Sequence, residues 1–375
     1  MTFRVTNWSS YEAGLRRRGS LTFWVDEDAI AGWRAAPRTT PGGQARYADL
    51  AIETALPVRS VFHQPLRQTE GLLGSLLQLL GLDLPVPDHT TLSRRSAKLT
   101  LVLRAGLPDG PVHLVLDSTG LKVYGAGEWL VDKHGARSPR SWRKLHLCVD
   151  ATSSTIVGAV LTTTEAGDAS QVGPLLEQTT GLITTLLADG AYDGGPIYQA
   201  IAHRAPGAAV VIPPRATAGP RAMADTAPTQ RDRHIQRIAE ISRMGWQRET
   251  KYGRRSKGET AMARYKGILG DRLHARSLSA QQAEAIIGVT TLNRMLDAGR
   301  PASVRSCSRR CRGSRDRPPA SVHQRRTGPL IETRREREAV RWRWRLEHTR
   351  SAIGSKPAIR RPDGNNRNGP TWGAL

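Results

Sequence analysis

The 375-residue chain is poor in cysteine, aromatic residues and acidic residues, and it has no long apolar segment. Its three cysteines fit neither a disulfide framework nor a complete zinc site. No apolar run approaches the roughly 18 residues of a membrane span, and the N-terminus lacks the apolar core of a signal peptide. No P-loop pattern indicates a nucleotide cofactor. We therefore expect a bacterial cytoplasmic protein without a membrane partner.

The scarcity of acidic residues leaves a large positive charge. The chain has 56 Lys and Arg residues against 33 Asp and Glu residues, a net charge of +23 and a pI of about 11.1. Such an excess favours polyanionic partners, because phosphate contacts release counterions. The hydrophobic fraction of 38% is sufficient for a core in part of the chain. Composition thus agrees with DNA as a partner.

Two apolar runs each lead to an aspartate. The run VHLVLDSTG contains Asp117, and the run LITTLLADGAYD contains Asp189. In both runs β-compatible residues place a carboxylate at the C-terminal end of a predicted strand, where sites in open sheets usually lie. The alternative for each aspartate is a turn residue that accepts hydrogen bonds from nearby backbone N–H groups.

The segment KYGRRSKGETAMARYK contains a tyrosine, an arginine, a glutamate and a lysine at offsets of zero, three, seven and fourteen: Tyr252, Arg255, Glu259 and Lys266. If the segment is a helix, the carboxylate and the cations share one face. Such a face suits a metal-binding carboxylate beside phosphate-holding groups. A solvated helix face with an ordinary ion pair is the alternative that spacing alone favours.

The order of these segments resembles the DDE transposases of bacterial insertion sequences, most closely insertion-sequence family five. Asp117 in LDSTGLKVYG, Asp189 in LADGAYDG and the pattern Tyr-x2-Arg-x3-Glu-x6-Lys carry the resemblance, which extends from Tyr11 to Arg305. It implies an α/β fold with an RNase H-like mixed sheet flanked by helices. The predicted division is a mainly helical, helix-turn-helix-like DNA-binding region at 1–105, an RNase H-like DDE domain at 106–305 with a linker or insertion at 215–245, and a tail at 306–375.

The resemblance also implies the chemistry of metal-dependent strand cleavage and strand transfer at the ends of an insertion sequence. Two divalent ions about 3.5–4 Å apart stabilise such a displacement at phosphorus, and oxygen ligands suit Mg²⁺, with Mn²⁺ as an alternative. We assign Asp117 to both ions, Asp189 to one and Glu259 to the other. Arg255 and Lys266 are predicted to hold DNA phosphates. Tyr252 either contacts DNA or packs against its neighbours.

Upstream of Asp117 the sequence predicts helices, with a break at Pro57 and with Asp88 as the N-cap of a further helix. The first turns of that helix carry hydroxyl and arginine side chains suited to contacts with bases and phosphates: Thr90, Thr91, Ser93, Arg94 and Arg95. The alternative is a polar helix that merely connects to the sheet.

The predicted partners are double-stranded DNA, both the terminal inverted repeats and the target, and a second copy of the chain in a synaptic complex at the nucleoid. Two rival functions are a nuclease of the same fold that cuts without joining, and a DNA-binding protein derived from an inactive transposase. Other candidate residues have structural explanations that we favour: Asp168 and Asp193 as cap or turn residues, His146 as a sheet histidine and Trp246 as core packing.

The segment from Ser306 to Leu375 carries 18 basic and 6 acidic residues, a net charge of +12, without aliphatic periodicity. Such a segment cannot bury enough apolar surface to offset its ordering entropy, so we expect it to be disordered. It is either a basic DNA-binding arm or frameshifted sequence, and the end of the resemblance at Arg305 favours the second interpretation.

Overall fold

The computed structural model describes residues 2–39, 41–99, 110–123 and 142–306. Met1–Ser308 is one compact unit, and the predicted tail beyond Ser306 lies outside the described residues. The first elements are β1 (Thr2–Val5), α1 (Trp8–Arg18), α2 (Leu21–Trp24), α3 (Glu27–Ala31), α4 (Asp49–Val61), α5 (Leu66–Leu79) and α6 (His89–Ser96). They are followed by β2 (Val112–Val123), β3 (Trp142–Asp150), β4 (Ile156–Thr163), α7 (Val172–Glu177), β5 (Ile183–Leu187), α8 (Gly195–Arg204), β6 (Ala209–Val211), α9 (Gln230–Glu249), α10 (Ser256–Leu269), β7 (Arg272–Leu273), α11 (Leu278–Ala298) and β8 (Ser303–Ser306).

A six-stranded mixed sheet forms the centre, in the order β4-β3-β2-β5-β6, and β7 also pairs with β2. The strands β2, β3 and β4 form an antiparallel meander, whereas β5 and β7 pair with β2 in parallel. Three strands (β2, β3 and β4), the helix α7 and a fourth strand, β5, precede Asp189 along the chain. In a separate two-stranded sheet, β1 pairs antiparallel with β8.

Helices cover both faces of the mixed sheet. Alternate residues of β2 point to opposite faces. Val115 belongs to a core shared with α10 and α11, whereas Leu114 and Leu116 belong to a second core shared with α7 and α8. The first face thus receives the helix that carries Glu259.

The predicted end of the first strand after Asp117 is wrong, because β2 continues to Val123. Ser118 pairs with His146 and Lys122 with Trp142, so the antiparallel ladder with β3 extends past the aspartate. This ladder keeps the small residues Ser118 and Gly120 extended, although their types favour a turn. Asp117 therefore lies within a strand, and residues before and after it pair with β3.

The helices before residue 100 are fixed by caps and by burial. Asp26 accepts a hydrogen bond from Ala29 N at the start of α3, and Asp88 accepts bonds from Thr90 N and Thr91 N at the start of α6, as predicted. The predicted break at Pro57 is wrong, because α4 continues to Val61 with Pro57 inside it. Burial of Pro57 and its neighbours against the core outweighs the loss of one helical N–H donor. In the described part of the chain, no helix has both the length and the apolar character needed to cross a bilayer.

Candidate active site

Asp117 and Asp189 lie at matching positions on neighbouring strands. Val115 of β2 pairs in parallel with Leu187 of β5, and both belong to the core that faces α10 and α11. Each aspartate follows its paired residue by two positions. Because side chains alternate along a strand and neighbouring strands lie about 4.8 Å apart, the two carboxylates approach each other at one edge of the sheet. The 72-residue separation in sequence is thus removed by one parallel strand pair.

The residue before Glu259 fixes the distance between α10 and β2. Gly258 is buried, and a Cβ atom added to it would lie 3.0 Å from Val115 Cγ1 and 3.1 Å from Asp117 Cβ. A side chain at this position would push the helix away from the strand. Gly258 therefore brings Glu259, in the first turn of α10, next to Asp117. Sequence reasoning missed this glycine, although a glycine beside a candidate catalytic residue in a helix signals a close approach.

The segment 251–266 is not one continuous helix. Lys251 adopts a left-handed conformation with φ of 56°, Tyr252–Arg255 form a 3-10 turn, and α10 begins at Ser256. This turn places Arg255 over the sheet edge, where Nη2 donates a hydrogen bond to Glu259 Oε1 at 2.7 Å. The same guanidinium lies 3.5 Å from Asp117 Oδ2 through Nη1. Arg255 thus connects the first and third predicted carboxylates directly.

The pKa of Asp117 reflects mainly its burial, together with the charges around it. Its side chain is only 13% exposed, whereas that of Glu259 is 60% exposed. Burial raises the pKa of Asp117, and the nearby charges of Asp189 and Glu259 raise it further, against the opposing effects of Arg255 and the Ser118 N–H group. Asp189 and Glu259 are therefore both close enough to Asp117 to act on its carboxylate.

The donor set suits a hard divalent cation. Carboxylate oxygens are the ligands that Mg²⁺ prefers, and a cation at Asp117 would oppose the burial and the neighbouring carboxylates that raise its pKa. Among the described residues, no group of three His, Cys, Asp or Glu side chains is close enough to hold one ion in the present geometry. Arg255 instead supplies the positive charge between Asp117 and Glu259. Metal binding would require Glu259 to exchange this ion pair for the ion.

On the opposite face of β2, Ser118 connects the site to a polar cluster. Ser118 N donates to Asp117 Oδ1 at 3.0 Å, and Ser118 Oγ donates to Asp168 Oδ2 at 2.9 Å. Asp168 also lies 3.2 Å from Lys144 Nζ. The prediction that Asp168 caps a helix is wrong, since its side chain makes these contacts and not a cap bond. No sequence signal identifies this cluster, because its members lie on separate elements.

The other candidate residues have structural roles. Asp193 is buried, and Arg231 donates to both of its carboxylate oxygens at 2.6 and 3.0 Å. His146 is buried in the sheet, where its Nε2 atom lies 2.9 Å from Thr162 Oγ1. Trp246 is fully buried, so its predicted packing role is confirmed, and its ring lies 5.8 Å from that of Tyr252.

Tyr252 lies within the field of the site as well as against the core. Burial raises the pKa of Tyr252, Arg255 opposes the shift, and the three carboxylates add to it. The contact of Tyr252 with Trp246 agrees with the packing role that the sequence predicts as one alternative. Because Tyr252 also lies near the carboxylates, the other alternative, a contact with DNA, stays a prediction.

The predicted phosphate-holding and DNA-contacting residues fall into three groups. Lys266 forms no ion pair among the described residues and lies two turns after Glu259 on α10. Thr90 and Thr91 donate their hydroxyl groups to Asp88. Arg95 is directed away from the other residues of α6, towards the Tyr47 carbonyl and the Asp49 carboxylate.

Two family models match this chain. Residues 16–126 match one that is described as a transposase DDE domain, and residues 108–294 match a second with the same description. The two matches together span most of the described residues and more than half of the 375-residue chain. The chain belongs to the DDE transposases, and it is an enzyme of that class, with endonuclease and transferase activity. Transposase DDE domains generally use divalent metal ions, which agrees with the all-carboxylate donor set.

Among solved structures, the chain is similar to the piggyBac transposase in its synaptic complex with hairpin DNA. The two chains are 11% identical, with a TM-score of 0.37 over 80% of this chain and 78% of that chain.

Proposed function

We propose that this transposase is of the insertion-sequence family five type and that it cleaves DNA at the ends of an insertion sequence and joins those ends to target DNA. The observation that carries the proposal is the matched position of Asp117 and Asp189 on paired strands, with Glu259 linked to Asp117 through Arg255. The strand order and the antiparallel meander support an RNase H-like fold.

In this proposal Asp117 binds two Mg²⁺ ions, Asp189 binds one of them and Glu259 binds the other, with Mn²⁺ as an alternative metal. When bound, the ions would neutralise charge on the attacking and leaving oxygens of the phosphodiester. Ser118 holds Asp117 Oδ1 through its backbone N–H group, which leaves Oδ2 directed towards Arg255 and the open site.

The cations of the segment then hold the DNA. Arg255, once released from Glu259, presents two donors to phosphate oxygens, and Lys266 adds a charge on the same face of α10. In cleavage, a water oxygen bonds to phosphorus while the bond from phosphorus to the 3′ oxygen breaks, and that oxygen takes up the proton that the water loses. In joining, the new 3′-hydroxyl attacks a target phosphodiester in the same way.

The test is incubation of the purified protein with a labelled element end and a supercoiled target plasmid in Mg²⁺. We expect a cut at the end and a joined product that contains the label. Glu177 and Asp225 are exposed carboxylates that lie outside the segments carrying the three site carboxylates. The variants Glu177→Gln and Asp225→Asn therefore serve as matched controls for substitutions in the site. Both controls should retain cutting and joining.

The two rival functions give different products. Cutting without joining would assign the chain to the nucleases of this fold and refute the transfer step. End binding without metal-dependent cutting, unchanged in Asp117→Ala, would identify an inactive DNA-binding derivative. The proposed assembly is a homodimer that pairs two ends, and the mass of the protein–DNA complex in sedimentation measures this directly.

A further inference from the structure

A second cleft lies at the other end of α10. It has a volume of about 860 Å³ and is enclosed by the turn between α4 and α5, by α6, and by the junction of α10 with β7. The cleft thus lies between the helices that precede the sheet and the helix that carries Glu259. It contains none of the three carboxylates of the candidate active site.

The charged residues that line this cleft are mainly arginines. Four arginines line it, and we refer to it as the arginine cleft: Arg59, Arg67, Arg94 and Arg272. Among the described residues, neither Arg67 nor Arg94 forms an ion pair, and Arg59 Nε is buried without a hydrogen-bond partner. Glu284 is the one acidic residue among the described residues that line the cleft, so its lining carries more positive than negative charge. Such an excess of positive charge favours the binding of an anion such as a phosphate.

Among the described residues that line the cleft, the one carboxylate, that of Glu284, is already hydrogen-bonded. Glu284 accepts hydrogen bonds from the backbone N–H groups of His274 and Ala275 and from the His274 ring, at 2.8 to 3.0 Å. These bonds and the charge of Arg59 lower the pKa of Glu284 against the effect of burial. Glu284 therefore fixes the loop before α11, and among the described residues neither Arg67 nor Arg94 is paired with it, whereas Arg272 lies 4.0 Å from Asp271.

Rigid backbone elements hold the walls in place. Gly270, with φ of 99°, ends α10 and turns the chain into β7, which presents Arg272. Gly288 of α11 lies so close to Tyr265 that an added Cβ would approach the ring to 2.9 Å. Leu66 and Leu269 supply apolar walls beside Tyr265. The cleft is thus a preformed channel with a basic rim.

The wall formed by α6 contains residues that the sequence predicts to contact DNA. Thr90, Ser93 and Arg94 line the cleft, and His89 is held there by Glu70, whose carboxylate lies 2.9 Å from His89 Nδ1. Since Ser93 and Arg94 are both exposed and both line the cleft, this wall offers donors to phosphate oxygens.

We propose that the arginine cleft binds the sugar–phosphate backbone of the element-end duplex, inward of the cut. The inference rests on the proposed function. Leu269 lies ten residues after Glu259 in one helix, a distance of about 15 Å at about 1.5 Å per residue. A duplex that follows α10 from the active site reaches the cleft after roughly four to five base pairs, at about 3.4 Å per base pair. We assign the end duplex to the cleft, and not target DNA, because α6 forms one of its walls and belongs to the region that the sequence predicts to bind DNA.

The test measures binding in EDTA, where catalysis cannot contribute. A labelled end duplex is titrated at several salt concentrations with the wild-type protein, with Arg67→Ala/Arg94→Ala, and with Arg233→Ala/Arg248→Ala as a control of equal charge change on exposed arginines of α9. We expect the cleft variant to bind about tenfold or more weakly, with a salt slope lower by about 1.8 for two lost phosphate contacts. The control should change far less. The variant Arg67→Lys/Arg94→Lys keeps the charges and should retain most of the slope.

The outcomes separate this inference from the proposed function. Equal affinity and equal slope for the cleft variant and the control overturn the cleft proposal, even if the wild-type protein cuts and joins DNA. Normal end binding together with loss of joining assigns the cleft to target DNA and also overturns the proposal. Weaker end binding supports it, even if the wild-type protein does not cut. Melting curves of each variant identify any that fail to fold, and for these the lysine variant decides the outcome.

Discussion

The active site and the arginine cleft lie at opposite ends of α10 and have opposite charge. At the first end, Arg255 pairs with Asp117 and Glu259, and Asp189 acts on Asp117. At the second end, four arginines line a cleft together with Glu284, which is already hydrogen-bonded. A carboxylate cluster suits a metal and the reacting phosphate, whereas an arginine cluster suits phosphates that do not react. The helix α10 thus separates the candidate active site from the proposed DNA-binding cleft by about 15 Å.

The largest expected effect concerns the carboxylates. Asp117→Asn, Asp189→Asn and Glu259→Gln should each reduce cleavage by about 10³-fold or more, since bound metal contributes several kcal/mol to the transition state. Duplex binding should persist, because each substitution removes a negative charge near DNA. Single-turnover cleavage and binding in EDTA measure the two properties separately. Metal-dependent cutting that persists in any one variant removes that residue from the ligand set.

The next effect tests the contact between α10 and β2. Gly258→Ala places a methyl group 3.0 Å from Val115 Cγ1 and 3.1 Å from Asp117 Cβ, so helix and strand must separate. Displacement of Glu259 on the scale of an ångström should reduce cleavage by about 10²-fold. Gly267→Ala is the matched control in the same helix, since nothing lies within 4 Å of its added Cβ. The control should stabilise the helix by about 0.5–1 kcal/mol and leave cleavage intact. Equal loss of activity in both variants would show that the close approach is not needed.

Part of this architecture is predictable from the sequence. The runs before Asp117 and Asp189 are apolar and β-compatible, so their strands follow from local residue types, and Asp88 and Asp26 cap helices as their types predict. The pairing of Val115 with Leu187 is set by tertiary packing, and no local pattern encodes it. Antiparallel pairing with β3 extends β2 through Ser118 and Gly120, against their turn preference. The contact of Ser118 with Asp168 and the cleft between α6 and β7 arise in the same way, from elements distant in sequence.

The cations of the active site should produce a smaller effect than its carboxylates. Arg255→Ala and Lys266→Ala should each reduce cleavage and lower the salt slope of end binding by about 0.9, the value for one phosphate contact on duplex DNA. Arg255→Ala should also raise the pKa of Asp117 further, because Arg255 opposes the existing shift. Salt titrations of binding beside cleavage rates measure both effects. An unchanged salt slope in either variant would contradict a phosphate contact by the substituted residue. Phosphate contacts would then be expected at the arginine cleft and not at that residue of the active site.

The smallest effect is on stability and arises from the raised pKa of Asp117. A carboxyl group with a raised pKa in the folded state binds a proton more tightly there than in the unfolded chain. Its contribution to stability is therefore present at pH values below its ordinary pKa and is lost as the pH rises through the folded pKa. Asp117→Asn cannot ionise, so the variant does not lose this stability as the pH rises. In EDTA at pH 7 it should therefore melt at a higher temperature than the wild-type protein, and the difference in melting temperature should shrink in acid. The backbone N–H of Ser118 can still donate to the asparagine oxygen, so that hydrogen bond is not a confounding change. If the variant instead melts lower at pH 7, the attraction of Arg255 for Asp117 exceeds the cost of burial and of the two neighbouring carboxylates. Such a result would contradict the raised pKa of Asp117 on which this prediction depends.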